Sequence, residues 1–438
     1  MLRLIRHFGG LPRKVADHFS LLIRDPERFG RNLLQFTDAA LFEKRLVDVL
    51  DAVPMHVTVD PSASGPPHLN VLNSALTRIG MTGGPNTIVN LALRIARQGI
   101  PVRLVTTVAT STMDPAWFRS HAAQLIGGPN LPDVPIVSAA DPTLPLIIGP
   151  RDIFMASHWT TAQQLKAVLP RMAFPQFFYM LQEFEPAFYA WSSNYALAME
   201  TYRLDFWPVI NEALLADYLY DLGPGRFADA GMRDRSTVFE PAIDERMFHP
   251  PITPMPDRPK RLLFYARPTN TRNMFGLALM ALRRASADSA LAGWQFLAIG
   301  GRGSVPPLPL QGGHILQPAA WMDYEGYAAS LREADVLLCP MLSPHTSYPV
   351  LEMAASGGLS VTNTFATKTQ AALEELSDNI VATEPTVEAM AAGVIAAVER
   401  VNAGRSRIAS LRMARDWAAT LDPAAERLAT LFRRLSEK

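Results

Sequence analysis

Leu69-Asn70-Val71-Leu72, a loop holding Gly80, Gly83 and Gly84, a helical pattern from Asn86 to Gln98, and then Val102-Arg103-Leu104-Val105: this stretch decides the fold. Pro85 stands just before the helical pattern and Gly99 just after it, the punctuation expected at helix ends. Two short apolar strands separated by a helix imply a right-handed parallel crossover. The rhythm continues outward, with strands predicted over 152–157, 177–182 and 206–210 and helices over 160–169 and 211–222. A second series begins further on, with strands at 262–265, 294–300, 314–317, 336–341, 359–362 and 380–383. Its helices are expected at 274–287, 324–333, 349–356 and 387–401. Between the two series, residues 241–259 hold prolines at 241, 250, 251, 254, 256 and 259 without sustained periodicity, the mark of a linker.

The expected architecture is therefore α/β, with two Rossmann-like βα domains facing a cleft and a helical N-terminal extension. The boundaries fall at 1–55 for the extension, 56–245 for the first domain and 246–404 for the second, leaving C-terminal helices over 405–438. The 438 residues are 48% hydrophobic, enough for real cores and against disorder as the main state. Forty-one Lys and Arg balance forty-one Asp and Glu, so no global field recruits nucleic acid. The single cysteine, Cys339, sits in an apolar run, which excludes an intramolecular disulfide and a cysteine-based metal site and fits a reducing compartment. No stretch approaches the roughly 18 to 20 apolar residues of a membrane span, and no secretory signal is evident, so a cytoplasmic protein is expected. The first 24 residues carry Arg3, Arg6, Arg13, Lys14 and Arg24 against Asp17. They read either as a helix packed on the body or as an amphipathic contact with the inner face of the cytoplasmic membrane.

Open parallel sheets bind ligands beyond the carboxyl ends of their strands, and four loops there carry candidate chemistry. Gly83 and Gly84 open a helix N-terminus that suits a phosphate. Arg267 and Arg272 follow the first strand of the second series, and guanidinium forks match diphosphate oxygens. Glu352 lies in the first turn of a helix after Ser347 and Tyr348, where a carboxylate can accept both hydroxyls of a ribose. Glu183 and Glu185 follow the 177–182 strand, near His158 and Trp159; acidic and aromatic groups at a cleft rim suit a sugar acceptor.

These motifs resemble the GT-B glycosyltransferases of family 4. Gln182-Glu183-Phe184-Glu185-Pro186, Phe264-Tyr265-Ala266-Arg267-Pro268 and the run from Leu342 through Gly357 are more narrowly similar to the WsaF-type rhamnosyltransferases, which build bacterial surface glycans. The resemblance covers about residues 65 to 400. It implies a donor site of Gly83, Gly84, Arg267, Arg272, Gly301, Ser347, Tyr348 and Glu352, with Arg272 in place of the lysine common in the wider family. It assigns catalytic roles to Glu183, Arg267 and Arg272, and acceptor contacts to His158, Trp159 and Glu185. Glu352 matches the second glutamate of the family's E-x7-E motif; the first position is Pro344, and Glu183 stands where an aspartate is expected. The implied reaction moves L-rhamnose from dTDP-rhamnose onto a glycan or lipid-linked glycan hydroxyl with retention, without a metal or other cofactor. A UDP- or GDP-linked donor, a GT-B epimerase, and a degenerate nucleotide-binding subunit of a glycan-assembly complex stay open as alternatives. Deleting residues 1–24 is expected to reduce binding to anionic liposomes if that segment meets the membrane; unchanged binding would assign it to packing.

Overall fold

The computed structural model describes residues 55–437 except 74–75, 79–80, 82, 109–113, 253–257, 302–305 and 321. The 1–55 extension and its basic segment thus lie, but for residue 55, outside the described residues, as do Gly80, Arg302 and part of the proline-rich linker.

Among the described residues, sixteen strands form three sheets. In chain order they are β1 (Val57–Val59), β2 (Leu69–Asn73), β3 (Val102–Thr106), β4 (Ile136–Ser138), β5 (Leu146–Ile148), β6 (Ile153–Ala156), β7 (Phe177–Leu181), β8 (Phe206–Asn211) and β9 (Thr237–Phe239). The series continues with β10 (Arg261–Tyr265), β11 (Gln295–Ile299), β12 (Leu308–Pro309), β13 (Ile315–Pro318), β14 (Val336–Leu338), β15 (Leu359–Asn363) and β16 (Ile380–Thr383). The first large sheet has the order β4-β3-β2-β6-β7-β8-β9 and is parallel throughout. The second has the order β12-β13-β11-β10-β14-β15-β16, antiparallel only at β12. β1 and β5 make a small parallel pair. In both large sheets the strand order reverses at the centre, which opens a crevice at the carboxyl edge.

Both faces of each large sheet are covered, so the central strands are buried without alternation. β2, β6, β7 and β15 are buried at every residue. One face of the first sheet packs on the helices Gly83–Arg97 and Trp417–Ser436, with Leu69, Val71, Leu91, Leu428 and Phe432 in one cluster. The last helix therefore crosses back from the second sheet to the first. The segment before it, 405–416, is not helical as expected. Instead Arg405, Arg407, Arg412 and Arg415 tie it down, Arg405 to the Gly357 carbonyl and Arg407 to Asp335 and the Ser356 carbonyl. Backbone bonds from Ile243 N to Ala414 O (3.0 Å) and from Glu245 N to Arg415 O (3.3 Å) lay the two inter-sheet crossings side by side.

Local boundaries shift for identifiable reasons. The Gly83–Arg97 helix starts three residues earlier than predicted, because Pro85 fits a first turn whose N–H groups have no intrahelical partners. The 160–169 helix stops at Leu165, and Pro170 belongs to a separate 3-10 turn, Leu169–Arg171. The helix expected from residue 211 begins at Ala213, since Asn211 ends β8 and Glu212 takes φ 86°. Leu428 is 1% exposed in the core shared with the first sheet. Leu428→Ala is expected to cost about 2–5 kcal/mol in denaturant unfolding; a loss below about 1 kcal/mol would mean the crossing helix contributes little.

Candidate active site

Each of the two large sheets sends loops from its carboxyl edge into one polar cluster. From the first sheet come Glu183, two residues past β7, and Glu212, one residue past β8. From the second come Arg272 in the 3-10 turn Thr271–Asn273 after β10, and the 342–348 loop between β14 and the Tyr348–Ala355 helix. Glu183 Oε1 accepts from Ser343 Oγ at 2.5 Å and from the Phe184 amide at 3.0 Å. Its Oε2 lies 3.3 Å from Arg272 Nη1 and 3.1 Å from His345 Nε2. Burial by itself would raise this carboxyl, but His345, Arg272 and Ser343 outweigh it and hold it at about 2. Arg272 also lies over Phe188, 4.5 Å from the ring centroid, and its buried Nε has no hydrogen-bond partner.

Glu212 and Lys368 also belong to this cluster and are not foreseen in the sequence. Glu212 Oε1 accepts from the Thr346 amide at 2.8 Å and from Thr346 Oγ1; burial raises its pKa. The signal for it was present, since Glu212 comes directly after β8 much as Glu183 comes just past β7. It was hidden by extending the next helix back over it. Lys368 is fully buried, donates to the Met341 carbonyl at 2.7 Å, and is pushed down to about 8 by burial against the pull of Glu183 and Glu212. It sits in the Phe365–Lys368 turn, a loop that composition does not single out.

The donor-side candidates surround this cluster. Arg267 lies 6.0 Å from the Tyr265 ring centroid, and among the described residues no carboxylate pairs with it. Gly300, at φ 85°, leaves room for that ring, since a Cβ there would come within 2.5 Å of it; Gly301 follows, half-buried. Ser347 is buried at φ 81°, a conformation that L side chains rarely adopt. Tyr348 is a strut between the sheets: its Oη accepts from Asn211 Nδ2 at 2.8 Å, and a Cβ at Gly83 would stand 3.1 Å from its ring. The neighbouring Gly84 carbonyl accepts from Gln182 Nε2 at 3.2 Å. Glu352, on the Tyr348–Ala355 helix, is 7% exposed and accepts from Tyr327 Oη at 2.8 Å. Burial pushes it up to about 7, and the Tyr327 hydroxyl offsets only part of that.

The acceptor-side candidates are arranged differently from the expectation. Trp159 is 1% exposed and its Nε1 donates to Tyr189 Oη at 2.9 Å, so its face is closed to an acceptor. Glu185 is 5% exposed and accepts from the Trp159 amide at 2.6 Å, serving the start of the Trp159–Leu165 helix; burial raises it to about 8. His158 is the N-cap of the same helix, and burial lowers it to about 4, which keeps it neutral at pH 7. Its ring keeps a 32% exposed surface and stacks on Phe188. The exposed aromatic of this region is instead Trp191, at 95%. Among the described residues no group of three or more His, Cys, Asp and Glu is arranged to hold a metal ion, and no helix is long and apolar enough to cross a membrane.

Two doubly wound sheets with charged loops meeting at their carboxyl edges define the GT-B class of fold. Sucrose-phosphate synthase from Thermosynechococcus elongatus shares it at a TM-score of 0.52 and 13% identity, over 84% of this chain and 99% of that one. Anabaena HepE in complex with UDP-glucose does so at 0.52 and 11% identity, over 84% and 97%. Residues 68–211 match the family description "WsaF, N-terminal domain" and residues 260–395 match "WsaF, C-terminal domain", together nearly two thirds of the sequence. The chain belongs to the WsaF family. It is also 34% identical over 283 residues to the O-antigen biosynthesis protein RfbC of Myxococcus xanthus, a match that covers 62% of this chain and 20% of that protein.

A carboxyl whose pKa rises on folding makes stability fall as pH climbs from its unfolded value, near 4.5, to its folded one, here about 7. Glu352→Gln is therefore expected to melt above wild type at pH 8, by on the order of 1–3 kcal/mol, and close to it at pH 4.5. Equal differences at both pH values would remove the buried ionised carboxylate as the cause.

Proposed function

We propose that this chain is a glycosyltransferase of surface-polysaccharide assembly that transfers L-rhamnose from dTDP-rhamnose to a glycan hydroxyl with retention. The observation that carries the reading is the convergence of Arg267, Arg272 and Glu352 from the second sheet on a site closed from the first sheet by Glu183. Arg267 has no described acid partner and Arg272 has an unpartnered Nε, so both keep donors for a diphosphate. Glu352, short of hydrogen bonds and desolvated, is suited to accept the ribose hydroxyls. The name of the Myxococcus relative supports a role in O-antigen-type polysaccharides, and HepE with UDP-glucose supports a nucleotide-sugar donor.

In this reading the bond from the sugar C1 to the donor phosphate oxygen breaks, and a bond from C1 to the acceptor oxygen forms on the same face. The acceptor hydroxyl proton passes to the departing phosphate. Arg267 and Arg272 stabilise the charge that develops on the leaving diphosphate, acting as preorganised donors in a water-poor cleft, and the reaction calls on no metal. Glu183 supplies fixed negative charge beside the positively polarised C1. Arg272 and Ser343 hold it below the usual carboxylate range, which makes it a weak base for the hydroxyl proton, and in this reading the proton goes to the phosphate. The site works on the cytoplasmic side, where nucleotide sugars are made.

Thermal-shift titration with TDP, UDP, GDP and ADP tests this. A ligand at 100 times its dissociation constant adds about 2.7 kcal/mol. The expected result is selective stabilisation by TDP, lost in Glu352→Ala, with turnover on the order of 10²-fold lower in Arg267→Ala. Selectivity for UDP or GDP would replace the donor, and no stabilisation by any nucleotide would favour a degenerate subunit.

A further inference from the structure

Glu183 is addressed from the second sheet by a histidine whose ring is itself held at both ends. The Ser347 amide donates to His345 Nδ1 at 3.0 Å. A ring nitrogen that accepts an N–H cannot carry its own proton, so the neutral imidazole is fixed with its hydrogen on Nε2. That nitrogen lies 3.1 Å from Glu183 Oε2. The arrangement rests on backbone that is not relaxed. Ser347, at φ 81°, turns its amide back onto the ring, and Glu212, at φ 86°, holds the adjacent Thr346 amide at 2.8 Å. Two non-glycine residues at positive φ on facing loops are a cost that a merely space-filling contact would not require. The two oxygens of Glu183 are also unequal. Oε1 is occupied by Ser343 Oγ and the Phe184 amide, whereas Oε2 has no directed hydrogen bond. Oε2 is thus the buried oxygen whose place is set by its neighbours on the second sheet, His345 Nε2 at 3.1 Å and Arg272 Nη1 at 3.3 Å.

We infer that His345 is a positioning residue for Glu183: its imidazole, fixed in the Nε2–H tautomer by the Ser347 amide, sets the free carboxylate oxygen from the opposite sheet. The inference rests on the glycosyltransferase reading for its kinetic consequence and on the structure alone for its tautomer. A donor diphosphate engages Arg272, which then shares its charge with phosphate oxygens, and His345 becomes the neighbour that keeps Glu183 ionised and in place. The other charged or titratable groups around Glu183 are Arg272 after β10, Lys368 in the turn after β15, Glu185 on its own loop, Glu212 after β8, and the buried or half-buried hydroxyls of Tyr202 and Tyr218. Of the cations among these, Lys368 gives one donor to the Met341 carbonyl, and Arg272, 3.3 Å from Oε2, is the one paired with Glu183 besides His345.

Two measurements on the full chain test this separately from the functional reading. Long-range proton–nitrogen correlation of histidine-labelled protein is expected to show one ring, absent from His345→Ala, in the Nε2–H form at pH 8. An Nδ1–H form would overturn the inference whether or not any donor turns over. With a nucleotide sugar that wild type uses, His345→Ala is expected to lose on the order of 10²-fold in kcat, with nucleoside diphosphate Kd unchanged within about twofold. Its acid limb should move up by at least about one pH unit as Glu183 loses a neighbour that favours its charge. His345→Gln, which keeps an N–H of similar reach, should recover part of both. Loss of kcat with the wild-type pH profile, or parallel loss of nucleotide binding, would make His345 a structural residue only. Failure of every nucleotide sugar with wild type would defeat the glycosyltransferase reading and leave the tautomer measurement to decide the inference.

Discussion

An ionised carboxylate sealed between two sheets is the constraint on which the rest of this molecule turns. Removing such a charge from water costs several kcal/mol unless opposite charge and hydrogen bonds surround it. Glu183 comes from the first sheet, while Ser343, His345, Arg272 and Lys368 all come from the second. Neither sheet can neutralise the site alone. The demand for charge balance therefore draws the carboxyl edges together, and Tyr348 against Gly83 and Thr367 Oγ1 on the Leu214 carbonyl extend the contact outward. A ligand that carries its own negative charge competes for the same cations, so ligand binding and the spacing of the two sheets are one equilibrium.

Burial and strain concentrate at the same place. Glu352, Glu185, Glu212 and Lys368 all have pKa values displaced by desolvation in the direction that disfavours their charge. Glu212, Met274 and Ser347, three of the four positive-φ residues that are not glycine among the described residues, sit within or beside these loops. A chain selected for stability alone would replace them with apolar groups on relaxed backbone. Their clustering marks the charged crevice as the part of the fold where stability is given up.

The strands that carry this crevice are legible in the sequence because they are buried on both faces. Val71, Phe178, Leu263 and Leu337 stand in apolar runs between turn residues, and the alternation with helices follows from them. Arg267, Arg272 and Glu183 are legible because they follow such strands, and Glu352 because it lies on the short helix Tyr348–Ala355 that follows the loop after β14. What escaped depends on contacts distant in sequence. Lys368 becomes a site residue only because its turn folds under the 341–348 loop, and Glu212 only because strained backbone breaks an otherwise helical pattern. Trp159 reads as a free aromatic beside a strand, yet Tyr189 and Glu185, 26 to 30 residues on, close over it. The short strands β1, β4, β5 and β12 carry too few residues to show a period, and exist by pairing with neighbours already in place.

The crossing helix has a consequence for how the chain is made. The apolar layer formed by Leu69 and Val71 of the first sheet and Leu91 of the Gly83–Arg97 helix is complete only when Leu421, Leu428 and Phe432 arrive. Roughly 180 residues of translation separate β9 from that helix, about 10 to 40 s at usual ribosomal rates. During that interval the half made first stays unfinished, while the second sheet, closed by its own helices, emerges whole. This helix thus seals a sheet made well before it, and a nascent chain released between the two would expose an oily surface that chaperones and proteases recognise.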